Sequence, residues 1–233
     1  MKLPKIPAGN SNKPVLFFDI DGTLTRSGEG RRAMAEAFEE LFKVEGAFDG
    51  VDFSGRTDPL ILREAFRKYD LDFNEVKEQD FFELYFTKLA KTIADNIELI
   101  EGINRLLAEI SEFELQLGII TGNNFPAARL KLETVGVAKH FAGGGFGEDG
   151  PQRLKIAQTG LNRFGQPADK TVMIGDSVHD IRVAKELGMI SVGVSTGHTD
   201  HERLKEKDPD YLLKKLTLDA LKEILPANQP GNI

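Results

Sequence analysis

The chain has 233 residues, enough for one large domain or for a core with a modest insertion, and either can bury a real hydrophobic core. Apolar residues make up 40%, charged residues 29%, and the formal net charge is -7. No basic excess exists to neutralise a nucleic-acid backbone, although a few local groups can still hold a small anion, and the absence of cysteine excludes disulfides and thiolate metal sites and fits a reducing cytoplasm.

Met1–Pro14 is polar and contains proline, so it is expected to be a short flexible lead-in rather than a signal peptide or a membrane span. Val15–Phe18 is an apolar run too short for a helix. It reads as a buried strand ending at Asp19. From 27 to 96 the pattern is helical, over Gly30–Lys43, Asp58–Tyr69 and Phe73–Asp95. Phe81, Phe82, Tyr85, Phe86, Leu89 and Ile93 form an apolar stripe at helical spacing, which reads as core. The flanks of this module, Thr25–Ser27 and Ile97–Gly102, are candidate hinges.

Strand character returns at Leu115–Ile120, which ends at Thr121-Gly122. A helix is expected over Asn123–Val135, with Pro126 near its start and Gly136 after its end. The triple glycine Gly143–Gly145 lacks the strand-turn-helix placement of a nucleotide fingerprint and is read as loop flexibility. Thr171–Ile174 is a third strand, ending at Gly175-Asp176. The helix Val178–Leu187 is closed by Gly188, and Ile190–Val194 is a fourth strand. A disordered tail is expected over 226–233. Alternating strands and helices predict an α/β fold, a three-layer Rossmann-like parallel sheet. The core would comprise 15–26 and 97–225, with 27–96 inserted as a helical cap.

Three polar clusters stand at the carboxyl ends of predicted strands, which in a parallel sheet face one crevice. In Asp19-Ile20-Asp21-Gly22-Thr23, the two acids are spaced to share a site, and Gly22 lets the backbone turn and offer N–H groups to phosphate oxygens. Thr121-Gly122-Asn123 opens a helix, where a hydroxyl, amides and the helix dipole can meet an anion. Gly175-Asp176-Ser177-Val178-His179-Asp180 adds two acids four residues apart on a first helical turn. Singly, each cluster reads as a turn, a helix start or a cap. Converging, the four carboxylates without thiols or a histidine pair point to a hard, oxygen-liking ion, hence Mg²⁺.

The strings FFDIDGTLT, IITGN and GDSVHD resemble the signature motifs of the haloacid dehalogenase-like hydrolase superfamily, and the layout from Val15 to Leu225 is similar to its phosphoglycolate phosphatase and β-phosphoglucomutase branch, with a type-1 cap. The resemblance implies a role for each matching residue. Asp19 would attack phosphorus and form an aspartyl phosphate. Asp21 would protonate the leaving oxygen and then activate water. Thr121 and Gly122 would hold the phosphoryl oxygens, with Gly22, Thr23 and Asn123 as further phosphate contacts. Asp176 would bind Mg²⁺ together with Asp19 and the Asp21 carbonyl, and Asp180 would support the metal waters. The family's third motif is a basic residue, often Lys-Pro. No Lys-Pro stands in that region, and Arg153, in GGGFGEDGPQR, takes the place, with Lys155 the alternative.

In the cap, Ser54-Gly55-Arg56-Thr57-Asp58 precedes a helix. Arg56 either reaches the substrate or stands in solvent beside a helix capped by Thr57 or Asp58. His140, His179, His198 and His201 are expected at the surface. The reading that follows is a cytoplasmic Mg²⁺-dependent phosphatase of a small phosphorylated metabolite, monomeric or homodimeric, with no nucleic-acid or membrane partner. A β-phosphoglucomutase-type phosphomutase is the alternative. A phosphorylatable switch protein would need neither Asp21 nor the insert, and no Walker lysine motif exists for a kinase.

Overall fold

The computed structural model describes residues 13–225; most of the expected lead-in, 1–12, and the tail, 226–233, lie outside them. The chain begins with β1 (Val15–Phe18) and the short β2 (Thr25–Arg26), then enters helices α1 (Glu29–Phe42), α2 (Asp58–Lys68) and α3 (Glu75–Thr92). It leaves them through β3 (Glu98–Leu99). There follow α4 (Ile103–Ile110), β4 (Gln116–Ile120), α5 (Phe125–Thr134), β5 (Gly144–Gly145) and α6 (Arg153–Phe164). The last part is β6 (Thr171–Gly175), α7 (Val178–Leu187), β7 (Ile190–Val194), α8 (His201–Lys205), β8 (Tyr211–Leu213) and α9 (Leu218–Ile224).

Six strands form one sheet in the order β5-β4-β1-β6-β7-β8, and every pair in it is parallel. Strand β1 is central, so both faces of its run are buried. Leu16 and Phe18 face α4, α5 and α9, while Val15 and Phe17 face α6 and α7. These are the two helical layers of a three-layer α/β fold. The chain leaves β1 towards β4 on one side and returns to β6 on the other, which makes the carboxyl end of β1 a topological switch point.

Helices α1, α2 and α3 have their own core. Phe38 is its hub, with the rings of Phe42, Phe48, Phe66 and Phe81 at centroid distances of 4.8 to 6.1 Å. Phe81, Phe82, Tyr85, Leu89 and Ile93 of the predicted stripe are buried there. The side-chain caps of Thr57 and Asn74 start α2 and α3, so the third helix begins at Glu75 rather than at Phe73. It ends at Thr92 in a 3-10 turn, Ile93–Asp95. The two segments that flank the cap pair as an antiparallel ribbon, with Thr25 opposite Leu99. Ala127 of α5 packs into the cap cluster, so the cap rests on the helix that follows β4.

The triple glycine is a correction to the sequence reading. Gly144 and Gly145 are not a flexible loop but the edge strand β5, paired with Ile119 and Ile120. A Cβ on either would collide with backbone carbonyls, Ile119 for Gly144 and Ile156 for Gly145, so only glycine lets α6 and β4 approach this closely.

Candidate active site

The carboxyl ends of β1, β4 and β6 open into a cavity of about 820 Å³ under the cap, lined among others by Asp19, Asp21, Arg56, Thr121, Arg153 and Asp176. Asp19 follows β1 directly, and its N–H donates to the Ile174 carbonyl, 2.9 Å away. One carboxylate oxygen, Oδ1, accepts from Arg153 Nη2 at 2.7 Å. Burial raises Asp19 to about 6 against the opposing pull of Arg153, with Asp180 and Asp21 adding to the rise.

Arg153 is the first residue of α6 and is buried. Its Nη2 also lies 2.5 Å from Asp180 Oδ1 and 3.1 Å from the Ile120 carbonyl. Burial disfavours the guanidinium charge, but Asp180 and Asp19 more than offset it and hold the group above its usual range. Lys155, the alternative for this position, is exposed. Asp180 holds Arg153 with one oxygen, and its Oδ2 accepts from the Ser177 N–H and hydroxyl at 3.2 and 2.7 Å. It therefore shares a capping box with Ser177 while serving the site.

Asp176 follows β6 and is raised to about 8, chiefly by burial, then by the charges of Asp19 and Asp180. The chain folds tightly around it. Gly22 has φ +87, and a Cβ there would collide with the Asp176 carboxylate. Thr23 Oγ1 donates to Asp176 Oδ1 at 3.3 Å, and the His198 N–H to Oδ2 at 3.3 Å. Oxygen atoms of Asp19, Asp176 and Asp180 lie within 4.8 Å of one another. Three buried carboxylates, offering only oxygen and repelling one another, fit a hard divalent cation.

Asp19 and Asp21 line one cavity but hold different cations. Asp21 Oδ1 and Oδ2 each accept from Lys131 Nζ at 2.7 Å, and Oδ2 accepts from Asn123 Nδ2 at 2.6 Å. Thr121 Oγ1 accepts from the Asn123 N–H and Nδ2 at 3.3 and 2.8 Å. The Gly22 N–H, expected to face phosphate, donates instead to the Thr25 carbonyl at 2.8 Å, because the turn closes on itself. Asn123 likewise directs its side chain at protein groups.

The cap loop docks on this floor. The Asp58 N–H donates to the Gly122 carbonyl at 2.9 Å, and the Asp58 carboxylate accepts from the Asn124 N–H at 3.0 Å. A Cβ on Gly122 would collide with the Arg56 carbonyl, so glycine is required where cap and core meet. Burial raises Asp58 to about 7. Arg56 does not stand free in solvent: it lines the cavity, pairs with Glu64 and donates to the Asp52 carbonyl at 3.2 Å. The cap of α2 is Thr57.

Neither Lys131 nor the Thr196–His198 loop carries a site role in the sequence reading, and Asp58 enters it only as a possible cap of α2. For Lys131 a signal existed, a lone ammonium on the face of α5 that carries Ala127, Ala128 and Leu132. Of the histidines, His198 is exposed and reaches the site through its backbone, and the half-buried His179 packs under Gly55 of the cap loop.

A family model described as haloacid dehalogenase-like hydrolase matches residues 16–194. The chain is 24% identical over 219 residues to a phosphoglycolate phosphatase of Pectobacterium atrosepticum, covering 91% of this chain and 90% of that protein. It is 25% identical over 208 residues to pyrophosphatase PpaX of Listeria welshimeri, covering 87% and 92%. Among solved structures, CbbY from Rhodobacter sphaeroides in complex with phosphate superposes with a TM-score of 0.73 at 22% identity, covering 87% of this chain and 94% of that one.

Proposed function

The chain belongs to the haloacid dehalogenase-like hydrolases and is a hydrolase of phosphate esters, and from that premise we propose that it is a Mg²⁺-dependent phosphatase of small organic phosphomonoesters, such as phosphoglycolate or a sugar phosphate, acting through an aspartyl phosphate on Asp19. The observation that carries this reading is the placement of Asp19 itself. It is buried at the end of the central strand, faces the cavity, and has one oxygen on Arg153 while the other is not engaged by that guanidinium.

In the proposed course, an Asp19 oxygen forms a bond to phosphorus as the ester P–O bond breaks. The leaving alkoxide takes the proton of Asp21. Asp21, now a carboxylate, removes a proton from water, which attacks phosphorus, releases inorganic phosphate and regenerates Asp19. Arg153 offsets the negative charge that gathers beside Asp19, with Asp180 holding the guanidinium in place. Thr121 and Gly122 border the phosphoryl position. Asp19, Asp176 and the Asp21 carbonyl would hold the cation, with Asp180 behind them, and when bound it supplies charge neutralisation and in-line alignment. The cap loop with Arg56 covers the ester's other end and shields the reaction from bulk water.

A panel of phosphate esters with an inorganic-phosphate readout tests the proposal, run with Mg²⁺ and with excess EDTA. The expectation is steady phosphate release that requires Mg²⁺ and is abolished by Asp19→Asn. Interconversion of sugar phosphates without net phosphate release would favour the mutase instead, and appreciable activity of Asp19→Asn would remove the covalent step.

A further inference from the structure

Lys131 occupies a position where an ammonium is costly. Its side chain is only 4% exposed, on the face of α5 that packs with Ala127, Ala128 and Leu132. An aliphatic residue would fill that place at less cost, since a buried charge is tolerated only when fully paired. The pairing is complete. Three N–H groups meet three acceptors, Asp21 Oδ1 and Oδ2 at 2.7 Å each and Asn123 Oδ1 at 2.8 Å. Asn123 closes the ring by donating to Asp21 Oδ2 and to Thr121 Oγ1.

Asp21 needs such a ring. Its side chain is 41% exposed and stands at a turn, so it would otherwise be free to change rotamer. The hydrogen-bond donors to its carboxylate, Lys131 and Asn123, come from α5 and the loop that opens it, hence from the core and not from the cap.

We propose that Lys131 is a positioning residue for proton transfer: with Asn123 it fixes the Asp21 carboxylate in the orientation from which it serves the ester oxygen. The inference rests on the reading of Asp21 as general acid and base. A direct role in binding substrate does not fit, because all three N–H groups are spent and a substrate anion would have to displace Asp21. The sharing of one ammonium between both carboxylate oxygens also explains why a lysine stands there: a single point charge can bisect the carboxylate while its third N–H reaches Asn123.

The test compares Lys131→Met, which keeps the apolar stem and removes the ammonium, on an alkyl phosphate and on 4-nitrophenyl phosphate, whose leaving group needs little protonation. Misplacing a reacting group typically costs about 10²-fold. The expected result is a fall in kcat/KM, which reports phosphoryl transfer to Asp19 and not the later attack of water common to both esters, on the order of 10²-fold on the alkyl ester and about tenfold or less on the aryl ester. In an Asp21→Asn background, Lys131→Met should add about twofold or less on the alkyl ester, because the group it positions is gone. Asn123→Ala, which leaves the lysine buried, should show the same leaving-group split, so the inference stays testable if Lys131→Met does not fold. Equal losses on both esters, a rise in KM alone, or a full additional loss in the Asp21→Asn background would overturn it. If Asp21→Asn itself shows no split, the general-acid reading fails, and the inference with it.

Discussion

At the scale of single residues, the site is a set of charges that hold one another. Arg153 bridges Asp19 and Asp180 while the exposed Lys155 reaches neither. Arg153→Ala leaves two buried carboxylates without their cation and removes the charge beside the proposed nucleophile. The expected loss in kcat/KM is on the order of 10²–10³-fold, against about twofold or less for Lys155→Ala, measured on one small phosphate ester. The reverse order would mean that the basic position was assigned to the wrong residue. Arg56 invites a finer comparison. Its guanidinium lines the cavity yet pairs with Glu64, so a substrate that uses it must compete with that pair. Arg56→Ala should lower kcat/KM on the preferred substrate roughly tenfold and spare a small aryl phosphate that cannot reach the cap. Equal values for both substrates would assign Arg56 to the fold of the loop alone. Much of this residue-level detail was legible, because acids at strand ends carry a strong signal. Lys131 and Asp58 were less so: one charge on an apolar helix face, or one acid next to a helix cap, acquires meaning only when the other chain segment is in place.

At the scale of elements, the cap meets the core through α2 and the loop after β4. Asp58 is buried in that contact, with its carboxylate accepting from the Asn124 N–H. Burial raises it from 3.8 to about 7, the Asn124 bond and Lys131 oppose the rise, and Asp21 and Glu148 add to it. The sign of the linkage follows. Between about pH 4 and 7 the folded protein keeps a proton that the unfolded chain has released, so this group's contribution to stability falls as pH rises through that window. Asp58→Asn removes the titration. Its Tm relative to the parent should therefore rise as pH goes from about 5 to 8; a constant difference would show that Asp58 is charged when docked. Within the cap, Phe38→Ala should destabilise by about 3–5 kcal/mol, read by denaturant unfolding, since the rings of Phe42, Phe48, Phe66, Tyr69 and Phe81 close on that side chain. A loss under about 1 kcal/mol would mean that the helices do not share this core. Strands β1, β4, β6 and β7 were legible because their runs are short, largely apolar and rich in β-branched or aromatic residues, as suits strands buried on both faces. Strand β5 was not, because two glycines carry no side-chain pattern, and the ribbon β2–β3 was too short to show a period.

At the scale of the whole molecule, one cavity lies between a parallel sheet and a helical lid, and its volume of about 820 Å³ suits a small organic phosphate. Among the described residues no helix is long and apolar enough to cross a membrane. The fold was foreseeable because strand and helix alternate around a helical insertion, whereas the identity of the ester is not written in any of the lining residues. The proposed mechanism requires the phosphoryl group to pass through Asp19. It is tested most directly by mixing the Mg²⁺-loaded protein with excess small phosphate ester, quenching in acid during turnover, reducing with borohydride, and locating the modified residue by mass spectrometry. Borohydride converts an aspartyl phosphate to homoserine and leaves a free carboxylate untouched. Homoserine is expected at position 19, and none when substrate is omitted. Phosphate release at full rate with Asp19 unmodified would contradict it.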